Sequence, residues 1–206
     1  MGSVVRRLFL TLAVAGMAAA CNQAGAAGSV GSDEMSLGDP KAKVTVIEYA
    51  SVTCPHCARF NEEVFPAFKA KYIDTGKVRY VFREFLTPPQ QVAAAGFLLA
   101  RCAGKDKYFN VIDAIMRSQQ EMFTSGDVRG VLLRIGRSAG LTDEKSLACI
   151  GDEKALKALN DRFETAINKD KIDGTPSFVI NGKKLESGEK TLAQLDAEIQ
   201  PLLAKK

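Results

Sequence analysis

Two cysteines separated by two residues, Cys54 and Cys57, stand where a strand-like segment gives way to a helix-like one. The preceding run, 44–49, is typical of a buried strand, and the following run, 58–65, is typical of a helix. The first turn of a helix carries unpaired backbone N–H groups and a partial positive charge, which favour a thiolate at Cys54. His56, between the cysteines, adds a side chain that can carry positive charge. The segment therefore predicts a nucleophilic thiol with a resolving thiol beside it.

A pair of cysteines at this spacing also occurs in zinc sites and in structural disulfides. Zinc needs about four ligands, yet the other cysteines, Cys21, Cys102 and Cys149, form no second close pair. His56 is the sole histidine of the chain. A disulfide that closes so short a loop gains little from chain entropy. We therefore favour a redox-active pair over these two alternatives, and we expect no metal and no cofactor.

Residues 1–20 have the pattern of an export signal. Arg6 and Arg7 precede an apolar run, 8–15, and a stretch of small residues suited to cleavage follows. The apolar run is short for a membrane span, although an uncleaved N-terminal anchor is the alternative. Export predicts an oxidising compartment such as a bacterial periplasm, where disulfides persist.

Cys21 follows three alanines, and this segment is similar to a bacterial lipobox. A lipid on Cys21 would make it the first residue of the mature chain. Ordinary cleavage after Ala20, or near 26–27, is the alternative. Residues 21–35 are rich in Gly, Ala and Ser, so we expect a flexible tether there.

The charge of the chain argues against a nucleic-acid partner. The formal net charge is +4, and loss of Arg6 and Arg7 with the leader lowers it to +2. So small an excess of positive charge does not favour binding to a polyanion. We therefore expect no nucleic-acid function.

The mature chain is predicted to be an α/β protein interrupted by helices. Residues 36–87 contain a strand over 43–50, a helix from Cys54 with a kink at Pro66, and a strand over 77–86. A strand–helix–strand unit of this length implies a parallel crossover.

A helical insertion is expected over 88–168, with about five helices at helical spacing of apolar residues. Residues 169–206 return to a strand pattern with a hairpin over 177–185. The turn pair is Asn181-Gly182, and a final helix carries an apolar stripe.

With these elements in place, the chain resembles the DsbA-like thiol–disulfide oxidoreductases of the thioredoxin superfamily. The residues that carry the resemblance are Glu48, the Cys54-Pro55-His56-Cys57 tetrapeptide, the helical insertion and the segment 174–179. The likeness covers residues 36–205 and implies a thioredoxin fold with an inserted α-helical domain.

The resemblance implies roles for residues outside the cysteine pair. Pro176 should follow a cis peptide bond, and Thr175 should offer its backbone groups to an extended substrate; an ordinary trans turn proline is the alternative. Glu48 should be a buried acid that exchanges protons with Cys57, although a Glu at a solvated strand end is the alternative. Pro55 and His56 should complete the site, with the His56 side chain stabilising the Cys54 thiolate.

The family also implies an activity and partners. The enzyme would oxidise dithiols in exported proteins through Cys54 and Cys57, and a quinone-linked membrane oxidase of the DsbB type would reoxidise it. A monomer is expected. Thr175 stands where the best-known oxidases of the family have Val, so a milder oxidant, or a disulfide isomerase or reductase, is an alternative. A non-redox chaperone is a third reading.

Cys102 and Cys149 fall within the helical insertion. We expect a structural disulfide between them, which is similar to the additional disulfide of the alphaproteobacterial branch of the family. Two buried free thiols are the alternative.

Overall fold

The computed structural model describes residues 30–31 and 33–205. The predicted export signal, 1–20, and the proposed lipid site, Cys21, lie outside the described residues. So does most of the predicted tether.

The described strands are Met35–Leu37 (β1), Val44–Ala50 (β2), Val78–Glu84 (β3), Ser177–Ile180 (β4) and Lys183–Lys184 (β5). The described helices are Pro55–Glu63 (α1), Phe65–Phe68 (α2), Gln90–Cys102 (α3), Lys105–Arg117 (α4), Gln119–Ser125 (α5), Val128–Ser138 (α6), Asp143–Ile150 (α7), Glu153–Asn168 (α8) and Leu192–Ala204 (α9). A π-helical turn, Lys69–Ile73, follows α2.

The strands form one sheet in the order β1-β3-β2-β4-β5. β2 and β3 are parallel, as predicted, and the other neighbouring pairs are antiparallel. β2 is buried on both faces, and successive side chains of a strand point to opposite sides. Val46 belongs to the larger core, with Phe60 of α1, whereas Ile47 and Tyr49 pack with Ala166 of α8. Glu48 therefore points to the α1 side of the sheet.

The chain enters the sheet earlier than the sequence predicts. Met35 is 5% exposed and pairs with Phe82, and Glu34 forms an ion pair with Arg83. The prediction of a flexible tether over 21–35 is therefore wrong at its C-terminal end. Burial of Met35 and the pairing of β1 with β3 fix these residues.

The described chain between β3 and β4 contains six helices, α3 to α8, where about five were expected from spacing. The difference lies at Ser118, whose φ of −91° and ψ of 2° interrupt the single helix predicted there and separate α4 from α5. The next residue, Gln119, hydrogen bonds to the loop between β2 and α1.

A buried carboxylate joins the helical insertion to the sheet. The Glu84 side chain, at the end of β3, is fully buried and accepts hydrogen bonds from Arg101 Nε at 2.6 Å and Arg162 Nη2 at 2.7 Å. Tyr108 Oη donates to it at 3.0 Å. Because breaking a buried ion pair leaves an uncompensated charge, this cluster ties α3, α4 and α8 to β3.

The C-terminal part has the predicted hairpin and final helix. Asn181 and Gly182 have φ values of 45° and 84°, which suit the tight turn of a hairpin. Thr191 and Gln194 form a capping box at the start of α9. Within the described residues, none of the helices combines the length and apolar content needed to cross a bilayer.

Candidate active site

The two thiols lie at the C-terminal end of β2 and the first turn of α1. Cys54 is the N-cap residue of α1, and Pro55 occupies the first turn, where its missing N–H costs nothing. Cys54 is 7% exposed and Cys57 is fully buried, and both are free thiols in the structure. The more accessible sulfur is therefore that of Cys54, as a nucleophile requires.

The surroundings shift the pKa values of the two thiols in opposite directions. The pKa of Cys54 is lowered to about 5, chiefly by a hydrogen bond from Cys57, with further hydrogen bonds from the Thr175 side chain and the backbone of Cys57 and His56. These donors outweigh burial, which acts in the other direction. Burial, the hydrogen bond to Cys54 and nearby negative charge raise the pKa of Cys57 well above its ordinary value. The site can therefore hold one thiolate and one thiol at neutral pH.

The His56 side chain occupies a different place from the one expected. Its Nδ1 lies 2.5 Å from Glu189 Oε1, and the side chain is 58% exposed. What His56 supplies to Cys54 is a backbone hydrogen bond. The first turn of α1 directs its N–H groups at the sulfur, while the Glu189 carboxylate binds the imidazole.

Thr175 and Pro176 face the thiols from the segment before β4. The Thr175–Pro176 peptide bond is cis. The Cys54 thiol donates to the Thr175 carbonyl at 3.4 Å. The structure thus brings together two segments that are more than a hundred residues apart in the chain.

Glu48 lies on the same side of the sheet as α1 and is 2% exposed. Burial raises its pKa to about 8; the hydrogen bond from Tyr80 opposes this rise, and the Cys54 charge adds to it. The charge of Glu48 in turn contributes to the raised pKa of Cys57. This carboxyl can therefore carry a proton at neutral pH, and it lies near enough to the inner thiol for its charge to affect the pKa of Cys57.

Three further residues support the site and were not found from the sequence. Tyr80 hydrogen bonds to Glu48, and Glu189 binds His56. Gln119, 8% exposed, donates through Nε2 to Val52 O at 2.8 Å and to Cys54 O at 3.1 Å. Gln119 continues the apolar stripe of α4, and a polar residue at such a position is the signal that could have revealed it.

Cys102 and Cys149 are joined by a disulfide that connects the end of α3 to α7. Their separation in sequence is 47 residues. Among the described residues, no group of three or more His, Cys, Asp or Glu side chains could hold a metal ion.

Comparisons with known proteins agree with this geometry. The family profile described as Thioredoxin matches residues 31–200. The crystal structure of α-DsbA1 from Wolbachia pipientis is 34% identical, with a TM-score of 0.78, and the match covers 84% of this chain and 92% of that one. The chain belongs to the DsbA-like branch of the thioredoxin family. The predicted DsbA-like fold with a helical insertion is therefore confirmed.

Two other similar proteins are named for different activities. A relative from Rickettsia bellii, named for protein-disulfide oxidoreductase activity, is 38% identical over 159 residues, which cover 77% of this chain and 61% of the relative. The chain thus spans about six-tenths of the length of that DsbA-like relative. A structure from Novosphingobium aromaticivorans, named as a protein-disulfide isomerase, is 25% identical with a TM-score of 0.71, covering 84% of this chain and 98% of that one.

Proposed function

We propose that this chain is a thiol–disulfide oxidoreductase that transfers the Cys54–Cys57 disulfide to pairs of thiols in exported proteins. The proposal is supported chiefly by the pKa values of the two thiols. That of Cys54 is lowered to about 5, and that of Cys57 is raised. A stabilised thiolate favours the reduced form, and so makes the disulfide form an oxidant. DsbA itself combines a cysteine of low pKa with a strongly oxidising disulfide.

The reaction begins with a substrate thiolate that attacks Cys54 Sγ in the oxidised enzyme. The Cys54–Cys57 bond breaks, its electron pair leaves on Cys57, and a mixed disulfide forms between the substrate and Cys54. A second substrate thiolate then attacks the substrate sulfur of that bond. Cys54 leaves as a thiolate, which its lowered pKa makes a good leaving group. The substrate has lost two electrons, and the enzyme dithiol has gained them.

Glu48 is proposed to give a proton to Cys57 as this sulfur leaves. The raised pKa of Cys57 means that its thiolate must be protonated for the reduced form to be stable. Glu48, with a pKa of about 8, is largely protonated at pH 7. In reoxidation the proton returns from Cys57 to Glu48, so that the inner thiol can attack.

The Thr175–Pro176 segment is proposed to bind the substrate chain. Thr175 carries backbone groups that an extended peptide can pair with, as in strand addition. Its carbonyl is 3.4 Å from the Cys54 sulfur, so a peptide paired there would hold its cysteine close to the nucleophile.

The proposed location is the periplasm, with the chain acting as a monomer. The export pattern of residues 1–20 supports this location, as does the Cys102–Cys149 disulfide, because such bonds persist in oxidising compartments. A membrane oxidase of the DsbB type is the proposed acceptor of the two electrons. A lipid on Cys21 is proposed to tether the mature enzyme, and the intact mass of the mature chain tests it.

A disulfide isomerase is the second candidate, and the name of the Novosphingobium aromaticivorans structure favours it. An isomerase must act from its reduced form, whereas an oxidase must act from its disulfide form. The direction of exchange therefore separates the two.

The test is the equilibrium of the full chain, carrying Cys21→Ser, with reduced and oxidised glutathione. Alkylation and peptide mass measurement would give the oxidised fraction of Cys54 and Cys57 separately from Cys102 and Cys149. We expect a reduction potential above the glutathione couple, on the oxidising side of about −200 mV. A potential near that of thioredoxin, about −270 mV, would reject the oxidase.

The matched assay follows the oxidation of a reduced, unfolded substrate protein. The double variant Cys54→Ser, Cys57→Ser should lose all activity and keep the Cys102–Cys149 disulfide. Retention of activity in that variant would favour a binding protein without redox chemistry.

A further inference from the structure

Glu189 places a carboxylate between the side chains of His56 and Arg59 on α1. Its Oε1 lies 2.5 Å from His56 Nδ1 and 3.2 Å from Arg59 Nη1. The side chains of His56 and Arg59 are 58% and 52% exposed, whereas that of Glu189 is 31% exposed. The carboxylate therefore sits on the inner side of this cluster, beside the first turn of the helix that begins at Cys54.

The loop that carries Glu189 is fixed independently of His56. Gly188 N donates to Pro176 O at 2.8 Å, and Ser187 Oγ donates to Asp173 Oδ1 at 2.6 Å. Gly188 has a φ of 112°, which a residue with a side chain rarely adopts. Hydrogen bonds to the segment before β4 thus fix the loop that carries the Glu189 carboxylate, and the His56 imidazole binds to that carboxylate.

The contact with Glu189 keeps the His56 imidazole from stabilising the Cys54 thiolate, which its position in the sequence suggests it could do. His56 lies two residues after Cys54, so an unbound imidazolium could reach the sulfur and stabilise its negative charge. The interactions that lower the pKa of Cys54 come from the side chains of Cys57 and Thr175 and from the backbone of Cys57 and His56, and the His56 imidazole is not among them. The imidazole instead contacts the Glu189 carboxylate.

We propose that Glu189 is a positioning residue that holds the His56 imidazole away from Cys54 and thereby limits the oxidising strength of the Cys54–Cys57 pair. This inference rests on the proposed function, since oxidising strength matters only if the pair exchanges disulfides. The titratable and charged groups that bear on Cys54 in this proposal are His56, Arg59 and Glu189 at the surface and Glu48, largely neutral at pH 7, in the interior.

Loss of the Glu189 charge should favour the Cys54 thiolate. A paired imidazolium and carboxylate carry no net charge toward the thiolate. Without the carboxylate, the pair becomes an imidazolium that can turn to the Cys54 sulfur, and a nearby positive charge favours the thiolate. Because both groups are partly exposed, solvent screens the effect and keeps it modest.

The experiment compares Glu189→Gln with Glu186→Gln in the reduced full chain. Glu186 lies in the same loop and is exposed, and its replacement removes the same charge. Thiolate absorbance against pH gives the ionisation midpoint of Cys54, and equilibration with glutathione gives the redox constant. For Glu189→Gln we expect a midpoint lower by about half a unit and a redox constant shifted about threefold toward the reduced enzyme. Glu186→Gln should change neither quantity.

A double-mutant cycle with His56→Ala tests the route of the effect. If Glu189 acts through the imidazole, Glu189→Gln should have little effect once His56 is replaced. A full effect in that background would overturn the proposal, because Glu189 would then act directly or through Arg59. A midpoint that is unchanged or higher in Glu189→Gln, or equal shifts in the two loop variants, would also overturn it.

These outcomes are independent of the test of the proposed function. That test concerns the absolute position of the glutathione equilibrium in the parent chain. The present one concerns the difference between variants, which can be measured whether the parent is an oxidant or a reductant.

Discussion

The Tyr80 hydroxyl lies 2.5 Å from Glu48 Oε2, and both side chains are buried. The hydrogen bond favours the carboxylate, while burial favours the neutral acid, and burial is the larger effect. The result is a pKa of about 8 in place of the ordinary 4.5. Tyr80 thus moderates the acid that stands next to Cys57, and Glu48 can both give and take a proton near pH 8.

Glu48→Gln should stabilise the chain at neutral pH. Between pH 4.5 and about 8 the folded chain keeps a proton on Glu48 that the unfolded chain has lost. The free energy of unfolding therefore falls as pH rises through this window, and the neutral amide removes that loss. At pH 7 we expect a gain on the order of 2–3 kcal/mol in urea unfolding. Below pH 4 the two curves should coincide, and a constant gap at every pH would contradict this account.

Thr175→Val should weaken the thiolate at Cys54. The Thr175 side chain is a hydrogen-bond donor that lowers the pKa of Cys54, and valine of similar shape has no donor. We expect the ionisation midpoint to rise by up to about one unit, with a matching loss of oxidising strength. This expectation is the reverse of the one from the family resemblance, under which Thr175 implies a milder oxidant than Val. Thiolate absorbance measures the midpoint. Thr175→Ser, which retains a hydroxyl, should stay close to the parent, and an equal rise there would mean that packing is responsible.

Gln119→Leu should destabilise the loop that carries Cys54. The substitution leaves the Val52 carbonyl without the side-chain donor of α5, whereas the Cys54 carbonyl still accepts from the Ala58 N–H. An unsatisfied buried acceptor costs about 1–3 kcal/mol, so thermal unfolding should shift accordingly. Amide exchange in 51–54 should also become faster.

The neighbouring Gln120, which is exposed, offers the matched control. Gln120→Leu changes the same chemistry on the outer face of α5 and should leave stability and exchange near those of the parent. Equal losses in the two variants would indicate that helix propensity is affected and not the loop contact.

Replacing Cys102 and Cys149 together by Ala should lower the stability of the helical insertion. The closed loop has a separation of 47 residues, for which chain entropy gives up to about 4 kcal/mol. Chemical unfolding of the double variant should show the loss, while the ionisation midpoint of Cys54 should remain that of the parent. Reduction of the parent should reproduce the loss, and a stability indifferent to both treatments would refute the expectation.

The sequence predicts those parts of the site that have local signatures. The cysteine pair and the Asn181-Gly182 turn are recognisable within a few residues, because helix starts and tight turns impose local demands. Strand β1 escapes prediction because three residues are too few for an alternating pattern. Its pairing with β3 depends on a strand more than forty residues away.

Contacts across the fold set the remaining parts. The break at Ser118 interrupts a helical pattern that is continuous in the sequence, and the contact of Gln119 with the Cys54 loop depends on residues more than sixty positions away. Glu189 lies 133 residues from His56, in a loop with no motif. The place of the His56 imidazole could not be predicted, because the carboxylate that binds it is brought near only by the fold.

The covalent link between α3 and α7 makes the stability of this chain depend on its surroundings. Disulfides close only where oxidants prevail, so a newly made copy would lack this reinforcement until it reaches such a place. Because folded proteins are stable by only about 5–15 kcal/mol, the absence of this link would remove a substantial share of the free energy of unfolding.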